Sequence, residues 1–120
     1  MIVVADAGPI HYLILIEAID VIYPLYDRVL VPKTVAEELT QSGAPEVIRT
    51  WMERPPEWCQ IRPDPPDDPA LKAFLDPGER AAIALALSFP ADRFLIDDWE
   101  GRVEAERRGL RITGTLGVKS

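Results

Sequence analysis

Short apolar runs alternate along the chain with longer segments in which apolar residues recur at helical spacing. The short runs predict strands at residues 2–5, 29–31, 58–61, 94–96 and 110–113. Continuous apolar runs of this length are typical of parallel strands that are buried on both faces. Because predicted helices separate the strands, we predict an α/β protein with three α/β/α layers and a mainly parallel central sheet. The length favours a single domain over residues 1–120.

The helical segments are predicted at residues 9–17, 19–23, 32–40, 45–54, 76–89 and 99–108. Proline in the first turn, or glycine and proline beyond the last turn, marks several of their ends. The helix at 76–89 has the clearest start, because Asp76 is a suitable N-cap and Glu79 occupies the reciprocal capping position. Its residues 81–87 are almost all apolar, so we expect this helix to be buried and to begin close to the sheet.

Two of the predicted strands end in carboxylates. Asp6 follows the first strand, and Asp97 and Asp98 follow the strand at 94–96. Open α/β sheets bind ligands beyond the carboxyl ends of their strands, so these acids predict a shared acidic pocket at one edge. Adjacent carboxylates repel each other unless a cation joins them, and the candidates are a divalent metal and the guanidinium of Arg102. The structural alternative for Arg102 is a helical ion pair with Asp98, which would contribute about 0.2–0.5 kcal/mol.

Two further acids lie on predicted helices. Glu38 borders the buried side of its helix, whereas Glu37 points almost opposite and should be solvated. On spacing alone, a helix-surface acid is the simpler interpretation of Glu38. The chain offers no catalytic-looking His, Cys or Ser, so the acids together suggest oxygen-rich coordination of Mg²⁺ or Mn²⁺ and hydrolysis of phosphodiesters. The candidate set is Asp6, Glu38, Glu79, Asp97 and Asp98.

Composition and charge restrict the environment and the partners. The net charge of −7 argues against broad attraction to nucleic acid or membrane, but not against a nuclease whose acids surround metal. Cys59 is the single cysteine and no internal disulfide can form, which fits a reducing cytoplasm. No apolar run approaches the roughly 20 residues that span a bilayer. Cations late in the chain could contact substrate, although solvated surface charges are an equally good interpretation; they are Arg102, Arg107, Arg108, Arg111 and Lys119.

Five segments, in this order, resemble the PIN-domain family, in particular a prokaryotic branch related to VapC-type toxins. The segments are Asp6-Ala-Gly-Pro-Ile, Val31-Pro-Lys-Thr-Val-Ala-Glu-Glu-Leu, Gly78-Glu-Arg-Ala-Ala-Ile-Ala, Leu95-Ile-Asp-Asp-Trp-Glu-Gly-Arg and Thr113-Gly-Thr-Leu-Gly. The resemblance covers almost the whole chain. It implies a PIN-like fold and a metal-dependent endoribonuclease, a hydrolase that uses Mg²⁺ or Mn²⁺. Relatives are commonly paired with an antitoxin protein and often form homodimers.

The resemblance also implies roles for individual residues. Metal ligands are expected at Asp6, Glu79, Asp97 and Asp98, and Glu38 joins them in the catalytic set. Independently of the resemblance, the clustering of cations near the C-terminus of this acidic protein makes Arg102, Arg107 and Arg108 the expected contacts to the RNA substrate. This chain departs from the family pattern in two places. Many PIN domains carry Ser or Thr after the first aspartate, where this chain has Ala7. Many also place a Thr two residues before the last acid, whereas this chain has the adjacent aspartates Asp97 and Asp98. Which of the two adjacent aspartates faces metal stays open.

Two other classes of function compete with the nuclease. A signalling receiver domain has a similar length, a similar alternation of strands and helices and an acidic pocket, and Thr115 and Lys119 lie late in this chain as it would require. A receiver also needs a phosphoacceptor aspartate at the end of its middle strand, and Asp64, in a proline-rich loop, is a poor candidate. Phosphorylation of one aspartate by a small phosphodonor would favour it. The second competing class is a catalytically silent PIN fold that only binds a protein partner. Metal binding without cleavage of any nucleic acid would favour this class. The chain ends at Ser120 where a further helix is expected.

Overall fold

A computed structural model describes residues 1–22, 26–71, 75–89 and 91–114. The strands that it contains are β1 (Ile2–Ala5), β2 (Arg28–Pro32), β3 (Cys59–Arg62), β4 (Arg93–Leu95) and β5 (Ile112–Thr113). They form one sheet in the spatial order β3-β2-β1-β4-β5, and every neighbouring pair is parallel. The prediction of a parallel sheet with Asp6 at the end of its central strand is therefore confirmed.

The helices are α1 (Ala7–Leu15), α2 (Lys33–Leu39), α3 (Glu46–Glu53), α4 (Pro77–Ser88) and α5 (Trp99–Arg107), with a 3₁₀ turn at Ile19–Val21. Right-handed crossovers in this strand order put α1 to α3 on one face of the sheet and α4 and α5 on the other. The packing agrees, since α1 contacts α2 and α3 while α4 contacts β1, β2, β4 and α5. Helix α2 follows β2 directly at the carboxyl edge and also packs against α4.

The core lies between the central strands and the helices on both faces. The side chains of β1 from Val3 onward and the middle of β2 are fully buried, as continuous apolar runs predict. Helix α4 is buried through Ala82, Ile83 and Leu85. Its first residues also pack inside the protein, which confirms that this helix begins close to the sheet. None of the described helices is both long and apolar enough to cross a membrane.

The predicted element boundaries are close to the observed ones, with one instructive difference. Helix α1 begins at Ala7 rather than at Pro9. Proline is tolerated throughout the first turn, because the first N–H groups of a helix have no partner inside it. Asp6 rather than Pro9 therefore marks the start of the helix. The end of the predicted 19–23 helix, and everything beyond Gly114, including Thr115, Lys119 and the expected final helix, lies outside the described residues.

The strand order decides against the receiver interpretation. Receiver domains belong to the doubly wound folds with the order 2-1-3-4-5. Here β2 and β3 both lie on the same side of β1, so the order differs and that interpretation is wrong. Asp64, its candidate phosphoacceptor, instead accepts hydrogen bonds from the backbone N–H and the hydroxyl of Thr34 and ties the proline-rich loop to the start of α2.

Candidate active site

Asp6 lies at the end of β1, where the order of the strands in the sheet reverses direction. From β1 the chain continues to β2 on one side, whereas β4 pairs with β1 on the other side, so the ends of β1 and β4 form a topological switch point. The backbone N–H of Asp6 donates to Leu95 O at 2.9 Å and joins the two strand ends. Asp6 is at the same time the N-cap of α1, and only 7% of its surface is exposed.

The environment of Asp6 favours its neutral form. Burial raises the pKa of Asp6 from 3.8 to about 7, because an ionised carboxyl loses its hydration there. A hydrogen bond from the N–H of Ala7 acts in the opposite direction, while the charges of Asp76, Glu38 and Asp98 raise the pKa further. Asp6 is therefore close to other acids from three different segments of the chain.

Glu79 holds the start of α4 with one of its two carboxylate oxygens. Its N–H donates to Asp76 Oδ1 at 2.8 Å, and Asp76 N–H donates to Glu79 Oε1 at 3.1 Å. This is the capping box that the sequence predicted, and it is confirmed. The second oxygen, Glu79 Oε2, is buried and has no hydrogen-bond partner within the described part of the chain. A buried oxygen without a partner is costly unless a proton or a cation reaches it.

Asp98 is the acid that interacts most strongly with Glu79. Burial, and then the contact with Asp98, raise the pKa of Glu79 from 4.5 to about 8. The same contact lowers the pKa of Asp98, which also accepts from Gly101 N–H at 3.1 Å as the N-cap of α5. The surroundings of Glu79 therefore favour its protonated form, whereas those of Asp98 favour its ionised form.

Glu38 belongs to α2, which lies on the face of the sheet opposite to α4 and α5. Burial and the charge of Asp76 raise the pKa of Glu38, and a hydrogen bond from Gly78 N–H limits the rise. A Cβ atom on Gly78 would lie 2.3 Å from Glu38 Oε1, so this carboxylate lies directly against the backbone of α4. Glu37 is exposed, as the helical spacing predicted. The contact between α2 and α4, rather than spacing along α2, is what brings Glu38 to the other acids.

Two further glycines, Gly101 and Gly114, lie against carboxylates of the site. A Cβ on Gly101 would lie 3.0 Å from Glu79 Oε2 and 2.4 Å from Ile96 Cδ1. A Cβ on Gly114 would lie 3.1 Å from Asp97 Oδ1. The carboxylates are therefore packed against bare backbone, at points where a side chain would displace them.

Asp97 and Asp98 diverge although they are adjacent in the chain. Asp98 turns to Glu79 and to the start of α5. Asp97 lies between the start of α1 and the end of β5, because its Oδ2 is 4.0 Å from the Cβ position of Gly8 and its Oδ1 borders Gly114. Arg102 Nη1 is also 3.1 Å from the Cβ position of Gly114, so the guanidinium lies on the Asp97 side.

Sequence reasoning overlooked Asp76 as a member of the site. Its charge raises the pKa values of Asp6, Glu38 and Glu79, so it faces all three. The capping box gave Asp76 a complete structural explanation, so no further role was sought for it. Asp76 directly precedes a helix whose first turn is buried, and this position is the signal that could have indicated its place among the acids.

The structure does not bring Arg107 and Arg108 to the acids. Helix α5 starts at the carboxyl edge, and its nine residues carry the chain about 14 Å back towards the other edge. There Arg107 and Arg108 donate to the buried Glu104 at 3.0 and 3.2 Å, and Arg108 also donates to Asp68 at 2.9 Å. Of the three predicted substrate contacts, only Arg102 lies beside the acidic edge.

The donor set at this edge suits a hard divalent cation, although its oxygens are not arranged around one point. Within the described ranges, no three His, Cys, Asp or Glu side chains are grouped closely enough to hold a metal ion as they stand. The donors are nevertheless all carboxylates, which Mg²⁺ and Mn²⁺ prefer. Glu79 Oε2 is a buried oxygen in need of a positive partner. A cation bound at this edge would supply that partner.

Known proteins and families agree with this fold. Among solved structures, the chain is similar to SSO1118, a PilT N-terminus domain protein from the hyperthermophilic archaeon Sulfolobus solfataricus P2. The TM-score is 0.68 at 14% identity, over 98% of this chain and 90% of that one, which establishes likeness of fold. Among curated proteins, none matches. A family model described as a PIN domain matches residues 2–118, and the chain therefore belongs to the PIN-domain family.

Proposed function

We propose that this protein is an Mg²⁺- or Mn²⁺-dependent endoribonuclease that hydrolyses RNA phosphodiester bonds. PIN domains are generally nucleases and typically use divalent metal ions. The observation that carries the proposal for this chain is the second oxygen of Glu79. It is buried without a hydrogen-bond partner, although the first oxygen already satisfies the structural role of the residue.

The proton held by the acids gives a reason for metal dependence. Near neutral pH the pKa values of Asp6 and Glu79, about 7 and about 8, leave both carboxyls partly protonated. A divalent cation would displace these protons, since carboxylate ligands bind metal in their ionised form. Asp6, Glu79, Asp97 and Asp98 are the residues that would hold it. We therefore expect metal affinity to rise with pH across this range.

The remaining residues of the edge would serve the substrate. A bound divalent cation lowers the pKa of water and offsets charge on phosphate oxygens. Arg102 lies beside Asp97 and would contact a phosphate of the RNA. Glu38 and Asp76 keep the edge strongly negative, so that RNA approaches only when cations offset that charge.

Cleavage assays on structured and single-stranded RNA test this proposal. We expect cleavage with Mn²⁺ or Mg²⁺, none with EDTA, and a loss of at least about a hundredfold in Glu79→Gln, as expected when a metal ligand is removed. Glu37→Gln is the matched control, because this exposed carboxylate lies on α2 beside Glu38 and should leave activity unchanged. Metal binding without cleavage of any nucleic acid would instead support a catalytically silent PIN fold.

The narrower biological roles stay predictions from the sequence. These are the toxin function, the antitoxin partner, the homodimer and the cytoplasmic location. A copurification and mass measurement of the native protein would address the two partners directly.

A further inference from the structure

The opposite edge of the sheet contains a cleft of about 380 Å³ that is rich in arginine. Its lining residues are Met1, Ala91, Asp92, Arg93, Gly109 and Arg111. These residues precede or begin β1, β4 and β5, so the cleft lies at the amino ends of the strands. The distance from Arg93 to Asp97 along β4 is about 13 Å at the rise of an extended chain. The cleft is thus separate from the acidic edge.

The two arginines of this cleft are neighbours across the sheet. Phe94 pairs with Ile112, and Phe94 N–H donates to Arg111 O at 2.8 Å, so Arg93 and Arg111 occupy the same row. Neighbouring strands are about 4.8 Å apart, and residues in one row point to the same face. Two like charges placed side by side destabilise a sheet unless an anion lies between them.

No acid of the described residues supplies that anion. Neither Arg93 nor Arg111 has a carboxylate within 4.0 Å of its guanidinium in the described part of the chain, in contrast to Arg107 and Arg108. Asp92 lines the cleft, but its Oδ2 accepts from Ile2 N–H at 2.7 Å. Gly109, at φ 85°, contributes no side chain that could fill the cleft.

We propose that this cleft binds a phosphate group between Arg93 and Arg111. A guanidinium presents a planar fork of donors that matches phosphate oxygens, and two adjacent forks match one phosphate from two sides. The phosphate is either a free anion or part of an RNA backbone. The proposal is independent of the nuclease function, because the site uses no metal and none of the acids at the carboxyl edge.

Calorimetric titration with inorganic phosphate, in EDTA so that the acidic edge holds no metal, tests the proposal. We expect saturable binding that weakens about tenfold or more in Arg93→Gln and in Arg111→Gln, since each loses hydrogen bonds to a charged group. Arg107→Gln is the matched control, because this arginine is two residues before Gly109 in the chain, does not line the cleft and is already bonded to Glu104. Binding that is absent at millimolar phosphate, or that Arg107→Gln weakens equally, would overturn the proposal.

A second arm identifies the source of the phosphate. A short RNA oligonucleotide is titrated into the same variants in EDTA, with fluorescence anisotropy as the readout. If Arg111→Gln weakens RNA binding as it weakens phosphate binding, the cleft contacts the RNA backbone. If only inorganic phosphate responds, the cleft binds free phosphate, and the proposal holds in that form. Arg111 is exposed, so its variant keeps the test valid even if Arg93→Gln fails to fold.

Discussion

The two edges of the sheet differ in the sign of their charged side chains and in how these side chains interact with their neighbours. At the carboxyl edge, Asp6 and Glu79 are buried and their surroundings raise the pKa values of both. At the amino edge, Arg93 and Arg111 lie side by side without an ion-pair partner among the described residues. Both edges belong to a protein of net charge −7. The difference teaches that the overall charge says little about where a phosphate would bind.

The helices explain why the acids gather at one edge. In a parallel α/β fold every helix that follows a strand begins at the carboxyl edge, and here α1 and α5 follow the strand ends of the site directly. The N-terminus of a helix carries a partial positive charge that stabilises acids, and its C-terminus stabilises cations. Asp6 and Asp98 cap the starts of α1 and α5, and Arg107 and Arg108 lie at the end of α5.

The pH dependence of stability should show the largest difference between the edges. Asp6 and Glu79 keep protons in the folded state up to pKa values of about 7 and 8, whereas the unfolded chain loses them near 3.8 and 4.5. The folded state therefore binds more protons between these limits, and stability of the metal-free protein falls as pH rises from about 4 to about 8. We expect a change on the order of a few kcal/mol for these acids together.

Urea unfolding in EDTA at several pH values measures this dependence. Glu79→Gln should flatten the fall, because its side chain has no proton to lose. Arg111→Gln, at the amino edge, should keep the slope of the wild type. Equal slopes in wild type and Glu79→Gln would show that the burial of Glu79 does not control its protonation.

Gly101→Ala should have the next largest effect. In an exposed helix this change usually stabilises by about 1 kcal/mol. Here the new Cβ meets Ile96 Cδ1 and Glu79 Oε2, both buried, so we expect a loss of about 1–3 kcal/mol in unfolding free energy. Urea denaturation measures it, with Gly43→Ala as the control, because nothing lies within 4 Å of a Cβ there. Equal effects at both glycines would argue against close packing around Glu79.

Glu104→Gln should have a moderate effect that is confined to the C-terminal half of α5. Glu104 is buried and binds both Arg107 and Arg108, so losing its charge should cost about 1–2 kcal/mol. The metal response of the protein should stay intact, because Glu104 is remote from the acidic edge. A thermal melt with and without Mn²⁺ measures both quantities. A lost metal response in this variant would mean that the two ends of α5 are coupled.

Arg111→Gln should have the smallest effect on stability. The residue is exposed, and its removal relieves repulsion with Arg93, so we expect a change within about 0.5 kcal/mol, in the stabilising direction. Urea denaturation at low salt is the measurement, since salt screens the repulsion. A loss of more than 1 kcal/mol would indicate that Arg111 has a structural partner after all.

Local patterns predicted most of the fold and part of the site. The end of an apolar run located Asp6, and the capping box located the start of α4 and with it Glu79. The contact between Glu38 and Gly78 joins α2 to α4, and such contacts between distant segments leave no local pattern. The same capping box concealed the second role of Asp76, because one complete explanation removed the reason to seek another.

The arginines show a different limit of the sequence. Arg107 and Arg108 lie close to Arg102 in the chain, and this proximity suggested that they share its pocket. A helix of nine residues instead carries them to the opposite edge. The direction of α5, which starts where β4 ends, could have indicated this outcome before the structure was known.

The central claim is that the acids of the carboxyl edge hold a divalent cation, and a thermal melt with Mn²⁺ tests it most directly. A cation that binds only the folded state stabilises it by about 2.7 kcal/mol at a hundredfold excess over its Kd. We predict a clear rise in Tm for the wild type and for Glu37→Gln, and little or no rise for Asp6→Asn. Asp6→Asn should also be at least as stable as wild type without metal, because it removes a buried, repelled carboxylate. An unchanged Tm of the wild type at millimolar Mn²⁺ would contradict the metal site and the nuclease proposal that depends on it.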